Sequence, residues 1–331
     1  MTIIVIDGWW GSGKSTLKGL LDGHPSLQVS PVQDSLIGGL ALDETKSSWM
    51  KYRDIEFYRH FLASKTNYYR IEKFADCGSV IFQPNATTSH YLDFHFDFIG
   101  FDKAIKDTLY HMDQWSSHDI IESFYSNFFR FWTDYPTREC DQMWVTMEAN
   151  KDNTPDFLLS QDIDFKYIYV DRATEGTIST RYKRTPIPGF SATDKYSQST
   201  LEQFIESGEV LRICRKRKSM IKLASLYPAN FAVFRLEDIV TNTDKISIDL
   251  AEFLKISHIP LLSEFTYCGK KFAGSNEYLG RLNDDYEQIF SKMEITLLRQ
   301  EMARAEEPSK AIRSRPRLCN HLKNYWKRIH N

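Results

Sequence analysis

The chain predicts a three-layer α/β fold, a mostly parallel central sheet flanked by helices, and three observations carry that expectation. Short apolar, β-branched runs at Ile3–Ile6, Phe165–Val170 and Ala232–Leu236 have the length and composition of buried strands. Each is followed by a stretch with helical spacing, and strands alternating with helices give a parallel, doubly wound sheet. The first strand also runs, through Asp7, into Gly8-Trp9-Trp10-Gly11-Ser12-Gly13-Lys14-Ser15, a complete G-x-x-x-x-G-K-[ST] loop, and then into a helix beginning Thr16-Leu17-Lys18. The expected fold is therefore P-loop-like.

The loop has a mechanism as well as a pattern. Glycines let backbone N–H groups wrap an anion, the lysine adds a point charge, and the new helix presents its positive end. A phosphate or sulfate group is the ligand such a cradle holds. The helix behind it ends at Asp22-Gly23-His24-Pro25, where glycine caps and proline forbids continuation.

Composition narrows the class. With 331 residues, 42% hydrophobic and 26% charged, the chain has the balance of a soluble globular enzyme. A net charge of −2 supplies no field for nucleic acid. The five cysteines are odd in number, widely spaced and free of any C-x-x-C pair, which points to reduced thiols rather than disulfides or a zinc site. No apolar run approaches the length of a membrane span, and the first strand starts two residues after Met1, so a cytoplasmic protein without stable membrane insertion is expected.

Farther along, residues 44–75 have the spacing of one or two amphipathic helices, and 78–84 that of a short strand ending at Pro84. Aromatics at every second position from Tyr91 to Ile99 suggest a half-buried strand whose other face carries Asp93, His95 and Asp97. That acidic face reads as solvated rather than metal-binding, since no further ligands lie nearby. Helices are expected over 101–113, 117–133, 174–183, 199–227, 243–256 and 282–304. The basic run Arg212 to Lys218 reads as a solvated helix face, and residues 305–331 form a basic tail.

In order and spacing these segments resemble the sulfotransferase family that uses 3′-phosphoadenosine 5′-phosphosulfate, PAPS, especially its bacterial and carbohydrate-type members. Ser12-Gly13 through Leu20-Leu21-Asp22-Gly23-His24-Pro25 is similar to the family's Ser-Gly-Thr-Thr loop and Leu-Leu-x-x-His-Pro ending. Lys151 to Pro155 followed by Phe165 to Tyr182 is similar to its Lys-Thr-Pro segment and its strand–Arg–helix. Phe234 to Val240 with Ile246 to Ile256, and Gly269 to Asn276, match two further family segments. Together the blocks reach from residue 3 to about residue 276. One departure concerns the basic residue that the family places just before Ser-Gly: here that position is Gly11, and the cation is Lys14.

The resemblance implies a single α/β domain over 1–331, with 34–133 as a helical, aromatic-rich acceptor-binding insertion. It implies in-line sulfuryl transfer to a hydroxyl or amine of a carbohydrate or other small polar acceptor, with PAPS as co-substrate and no metal. Gly11, Ser12, Gly13, Lys14, Ser15 and Thr16 would hold the 5′-phosphate, with Lys14 stabilising the leaving oxygen. Arg172 with Thr180 or Ser179 would hold the 3′-phosphate, assisted by Lys270 or Lys271. Glu148 is the first candidate general base, ahead of Asp34, His24 and His90. Two other readings stand beside this one. In a P-loop kinase using Mg-ATP, Ser15 and Asp171 would hold the metal and Arg181 and Arg184 would act as lid arginines. In a nucleotide-binding protein without catalysis, the basic helix and the tail would serve for docking.

Overall fold

In the computed structural model, Thr2–Asp7 (β1) is the middle strand of a five-stranded, all-parallel sheet. The structure describes residues 1–9, 11–30, 35–42, 50–65, 79–85, 88–93, 96–133, 143–147, 152–182, 201–267, 270–271 and 290–306. Lys14–Leu21 (α1) leads from β1 to Gln28–Val29 (β2) at one edge of the sheet. The chain then returns through residues 30–142 to Met143–Met147 (β5), which fills the place between β2 and β1. Thr154–Ser160 (α6) carries it across to Asp164–Asp171 (β6) on the other side of β1, and Phe231–Arg235 (β7) adds the far edge. The order is thus β2-β5-β1-β6-β7. The winding direction reverses at β1, and the crevice at the carboxyl ends of strands around such a reversal is where α/β sheets bind ligands.

The parallel register explains the composition of the strands. Ile4 pairs with Val145 on one side and with Lys166 on the other. Ile3 to Ile6 are fully buried, as are Tyr167, Ile168 and Val170, so these strands read as continuous apolar runs rather than alternating ones. Within β6, between its terminal Asp164 and Asp171, Lys166 is the exception. Its stem lies in the core while its ammonium donates to the Ala229 carbonyl at 2.6 Å and lies 4.9 Å from the centre of the Phe253 ring. Burial, with Lys255 adding to it and Asp164 opposing, pushes that ammonium below the ordinary lysine range. Strands β2 and β5 were not anticipated from the sequence. The two-residue β2 is too short to show a pattern, and what defines these strands is pairing, of β5 with β1 and of β2 with β5.

The stretch between β2 and β5 holds Leu36–Leu42 (α2), Ile55–Lys65 (α3), an antiparallel hairpin of Ser79–Asn85 (β3) and Thr88–Asp93 (β4), and the helix pair Phe98–Tyr110 (α4) and Ser117–Phe131 (α5). The register slips between Phe82 and Asn85, where Pro84 offers no ladder donor. Helix α5 starts with a complete capping box between Ser116 and Asp119. Its buried stripe of Ile120, Ile121, Phe124, Tyr125 and Phe128 meets α4 through Phe101, with ring centres 5.6 Å apart for Phe101–Phe124 and 6.1 Å for Phe101–Phe128. Tyr125 reaches Trp144 of β5 at 5.8 Å, which anchors this aromatic layer to the sheet.

Two expectations are corrected here. The alternating run from Tyr91 to Ile99 is not one strand: β4 ends at Asp93, and Asp97 is the N-cap of α4, its carboxylate accepting the Gly100 N–H at 2.9 Å. Capping satisfies a helix-end donor, and this local bond outweighs the period of two. Nor is 199–227 a single helix. It divides into Leu201–Glu206 (α8) and Glu209–Leu226 (α9) at Gly208, whose φ of +78° ends the first helix. Of the one or two helices expected over 44–75, the described residues show α3 and helical residues 50–51. Tail residues 307–331 lie outside them.

By compactness the chain divides into Met1–Arg172 with Ile221–Gly280, and Ala173–Met220 with Arg281–Asn331. The first unit holds the sheet, Leu236–Thr241 (α10), Thr243–Leu254 (α11), and a two-stranded pair of Thr266–Tyr267 (β8) and Lys270–Lys271 (β9). The second holds Thr174–Tyr182 (α7), α8, the first part of α9 and Lys292–Glu306 (α12). Among the described residues no helix is long and apolar enough to cross a membrane. Because the α4–α5 layer is a mutually packed ring cluster, Phe124→Ala and Phe128→Ala should each lower the unfolding free energy by about 3–5 kcal/mol, measured by chemical denaturation.

Candidate active site

The chain leaves β1 at the buried Asp7 and must turn into α1 with almost no room. At Gly8 an added Cβ would overlap the Ser12 hydroxyl and stand 2.7 Å from the Val170 carbonyl of β6. Gly13, at φ +93°, has the left-handed backbone that glycine tolerates, and a Cβ there would overlap a methyl of Leu236 at the start of α10. The turn is closed by the Ser12 N–H donating to the Trp9 carbonyl at 3.0 Å, and α1 is opened by the Leu17 N–H donating to the Gly13 carbonyl at 3.1 Å.

This geometry leaves a polar cradle. N–H groups of a helix's first turn have no acceptor inside the helix. Here the N-cap is Gly13, which offers no side chain, and the first turn holds no acidic residue. Ser12 is 2% exposed, and its hydroxyl has no hydrogen-bond partner among the described residues. Leaving a buried hydroxyl unpaired costs about 1–3 kcal/mol, so this turn carries a polar group that the described residues do not satisfy. Lys14 is 8% exposed, Ser15 is exposed and Thr16 is half-buried. The Ser15 hydroxyl lies 3.8 Å from the Met147 sulfur, so this side of the loop meets the carboxyl end of β5.

A second cation arrives from β6. Arg172 follows the last residue of that strand, and its Nη1 donates to the Gly11 carbonyl at 2.7 Å. The guanidinium is thereby fixed on the loop itself. Beneath the loop, the Tyr167 hydroxyl donates to the Asp7 carboxylate in the buried floor of the sheet. Neither Tyr167 nor Leu236 was singled out from the sequence. Their only signals are a hydroxyl-tipped residue inside an apolar strand and an apolar residue at a strand-to-helix junction.

The remaining candidates fall in several places. His24 is buried with both ring nitrogens engaged: Nδ1 accepts the Ser26 N–H at 3.1 Å, so Nε2 carries the proton and donates to the Ser257 carbonyl at 2.9 Å. It fastens the end of α1 and is not placed to take a proton. Lys270 and Lys271 form β9, whose partner β8 is held to α1 by the Thr266 hydroxyl donating to the Asp22 carbonyl at 2.6 Å. Ser179 belongs to the second unit, where it is buried and donates to the Gly176 carbonyl at 3.0 Å. Thr180 stands next to it in α7. His90 lies in β4. Glu148 and Asp34 lie outside the described residues, as does Arg184.

No protein-family profile and no curated protein sequence matches the chain. Among solved structures, it is similar to the sulfotransferase domain from the Synechococcus PCC 7002 olefin synthase, at 14% identity and a TM-score of 0.46 over 92% of this chain and 94% of that one. It is also similar to the sulfotransferase domain from the curacin biosynthetic pathway, at 16% identity and a TM-score of 0.41 over 92% of this chain and 95% of that one. At these values the likeness decides neither the chemistry nor the ligands of this chain.

The crowding at Gly13 yields a direct test. Gly13→Ala should destabilise the protein by about 2–4 kcal/mol, combining a forced left-handed residue with overpacking. In a Leu236→Ala background the overpacking part should disappear and about 1 kcal/mol of backbone strain should remain. Thermal unfolding of the four proteins of this double-mutant cycle checks both values.

Proposed function

We propose that the chain transfers a sulfuryl group from PAPS to a hydroxyl or amine of a carbohydrate or other small polar acceptor. The observation that supports it best is Arg172 seated on the Gly11 carbonyl. It brings a second fixed cation to a loop that already holds Lys14 and an unpaired buried hydroxyl. A donor with separate phosphate groups on its ribose needs both a cradle and a cation beside it, and a guanidinium suits a phosphate geometrically.

In this reading the bond between sulfur and the leaving phosphate oxygen breaks as a new bond from sulfur to the acceptor atom forms, and the acceptor's proton passes to a base. Backbone N–H groups from Gly11 to Thr16 and the Ser12, Ser15 and Thr16 hydroxyls hold the 5′-phosphate. Lys14 neutralises charge on the leaving oxygen, the largest single contribution expected in group transfer of this kind. Arg172 binds the 3′-phosphate. Glu148, which follows Met147 at the end of β5 and hence the strand that touches Ser15, takes the proton. The aromatic-rich stretch between β2 and β5 supplies the acceptor's surroundings, because aromatic rings stack on sugar faces. Asp171, buried at the end of β6, favours the second reading, a P-loop kinase in which it and Ser15 hold Mg²⁺ with ATP.

Ligand-induced stabilisation separates the two, because a ligand that binds only the folded state raises the melting temperature. Adenosine 3′,5′-bisphosphate should raise it without added metal, and Arg172→Ala should remove most of that shift. A shift seen only with Mg-ATP or Mg-ADP sinks the sulfuryl reading. With an acceptor in hand, Lys14→Ala should lower kcat by about 10²–10³ while Glu148→Gln lowers it by about 10²–10⁴. A Glu148→Gln enzyme with near-normal turnover removes that residue as the base.

A further inference from the structure

Lys18 sits one turn after Lys14 on α1, and residues four apart share a helix face. It is 1% exposed, among the most buried side chains in the protein. Its ammonium donates to the Ser30 carbonyl at 3.1 Å. Ser30 is buried too, directly after β2, and its own N–H donates to the Val145 carbonyl of β5 at 2.9 Å. The residue where the chain leaves β2 is therefore held from both sides, by the sheet through its N–H and by the phosphate-loop helix through its C=O.

A buried ammonium is a poor means of stabilising a fold. Its desolvation offsets most of what its bonds return, and an apolar residue of similar volume does as well or better. The last turn of α1, whose negative pole favours a cation, lowers that cost without removing it. What Lys18 achieves that methionine would not is a directional tie between α1 and the exit of β2. Lys14 and this tie are carried by one rigid helical turn.

On these grounds we infer that Lys18 is a positioning residue that couples the phosphate loop to the chain leaving β2. The inference rests on the reading of the loop as an anion site. A ligand seated on the loop fixes the first turn of α1, and through Lys18 it fixes Ser30, at the end of the sheet where β2 and β5 finish. Lys18 itself does not touch the ligand. Its loss should uncouple the two places and leave binding at the loop intact.

Hydrogen exchange in the full-length protein reads this directly, with adenosine 3′,5′-bisphosphate and Mg-ADP as the two probes. In the wild type, whichever probe binds should slow exchange at residues 27–30 by about tenfold. In Lys18→Met the affinity for that probe should stay within about threefold, while the slowing at residues 27–30 disappears. Lys18→Arg, which keeps a charged donor, should restore part of the slowing. Lys18→Gln replaces Lys18→Met if the latter does not fold. Unchanged slowing in the substituted protein overturns the inference, as does a loss of affinity beyond about thirtyfold, which would make Lys18 part of the binding site. Binding of Mg-ADP alone discards the PAPS donor and leaves the role of Lys18 decided by the same exchange data. Binding of neither probe overturns both.

Discussion

The arrangement depends on one steric constraint, the absence of side chains at Gly8 and Gly13. The central strand ends under a carbonyl of β6, and the helix that follows begins against Leu236 of α10. Only a backbone without Cβ atoms passes through that space. Once it does, α1 starts directly above the carboxyl end of β1, with its N-cap lacking a side chain and its first turn lacking an acid. A cradle of first-turn N–H groups follows from the turn as a consequence of how tightly strand and helix are joined.

Charge is distributed around the cradle in a consistent way. Two cations, Lys14 and Arg172, come from elements on either side of the turn, one from the helix and one from the end of the neighbouring strand. A carboxylate lies below, and the Tyr167 hydroxyl supplies the hydrogen bond that a buried acid needs. The helix's far end is fastened separately, by His24 to Ser257 and by Thr266 to Asp22. Rigid fastening at both ends is what an electrostatic site requires, since pre-oriented dipoles and charges are worth more than ones that must reorganise.

The stretch between β2 and β5 is built on other physics. Its α4–α5 pair is held by packed aromatic rings and a capping box, with Tyr125 against Trp144 as a link to the sheet. This layer explains why the chain is rich in phenylalanine without having a larger sheet.

Much of this was legible in the amino-acid order. Three strands show as apolar runs, the loop shows as a complete motif, and Asp22-Gly23-His24-Pro25 marks the end of its helix, because each is set by neighbours within a few residues. The breaks at Asp97 and Gly208 were missed where a local cap or a left-handed glycine outweighed a longer periodic pattern. Strands β2 and β5 were missed because pairing defines them and local preference does not. Arg172 was marked by its place after a strand, but only the fold sets its guanidinium on Gly11. Lys18 carried no signal at all, since a lysine on a short helix reads as solvated until the exit of β2 closes over it. By itself the sequence determined the parallel α/β class and the glycine-rich turn between the central strand and its helix, through local pattern. Tertiary structure alone decided which charges meet that turn and which are buried beside it, because those contacts join residues far apart in the chain.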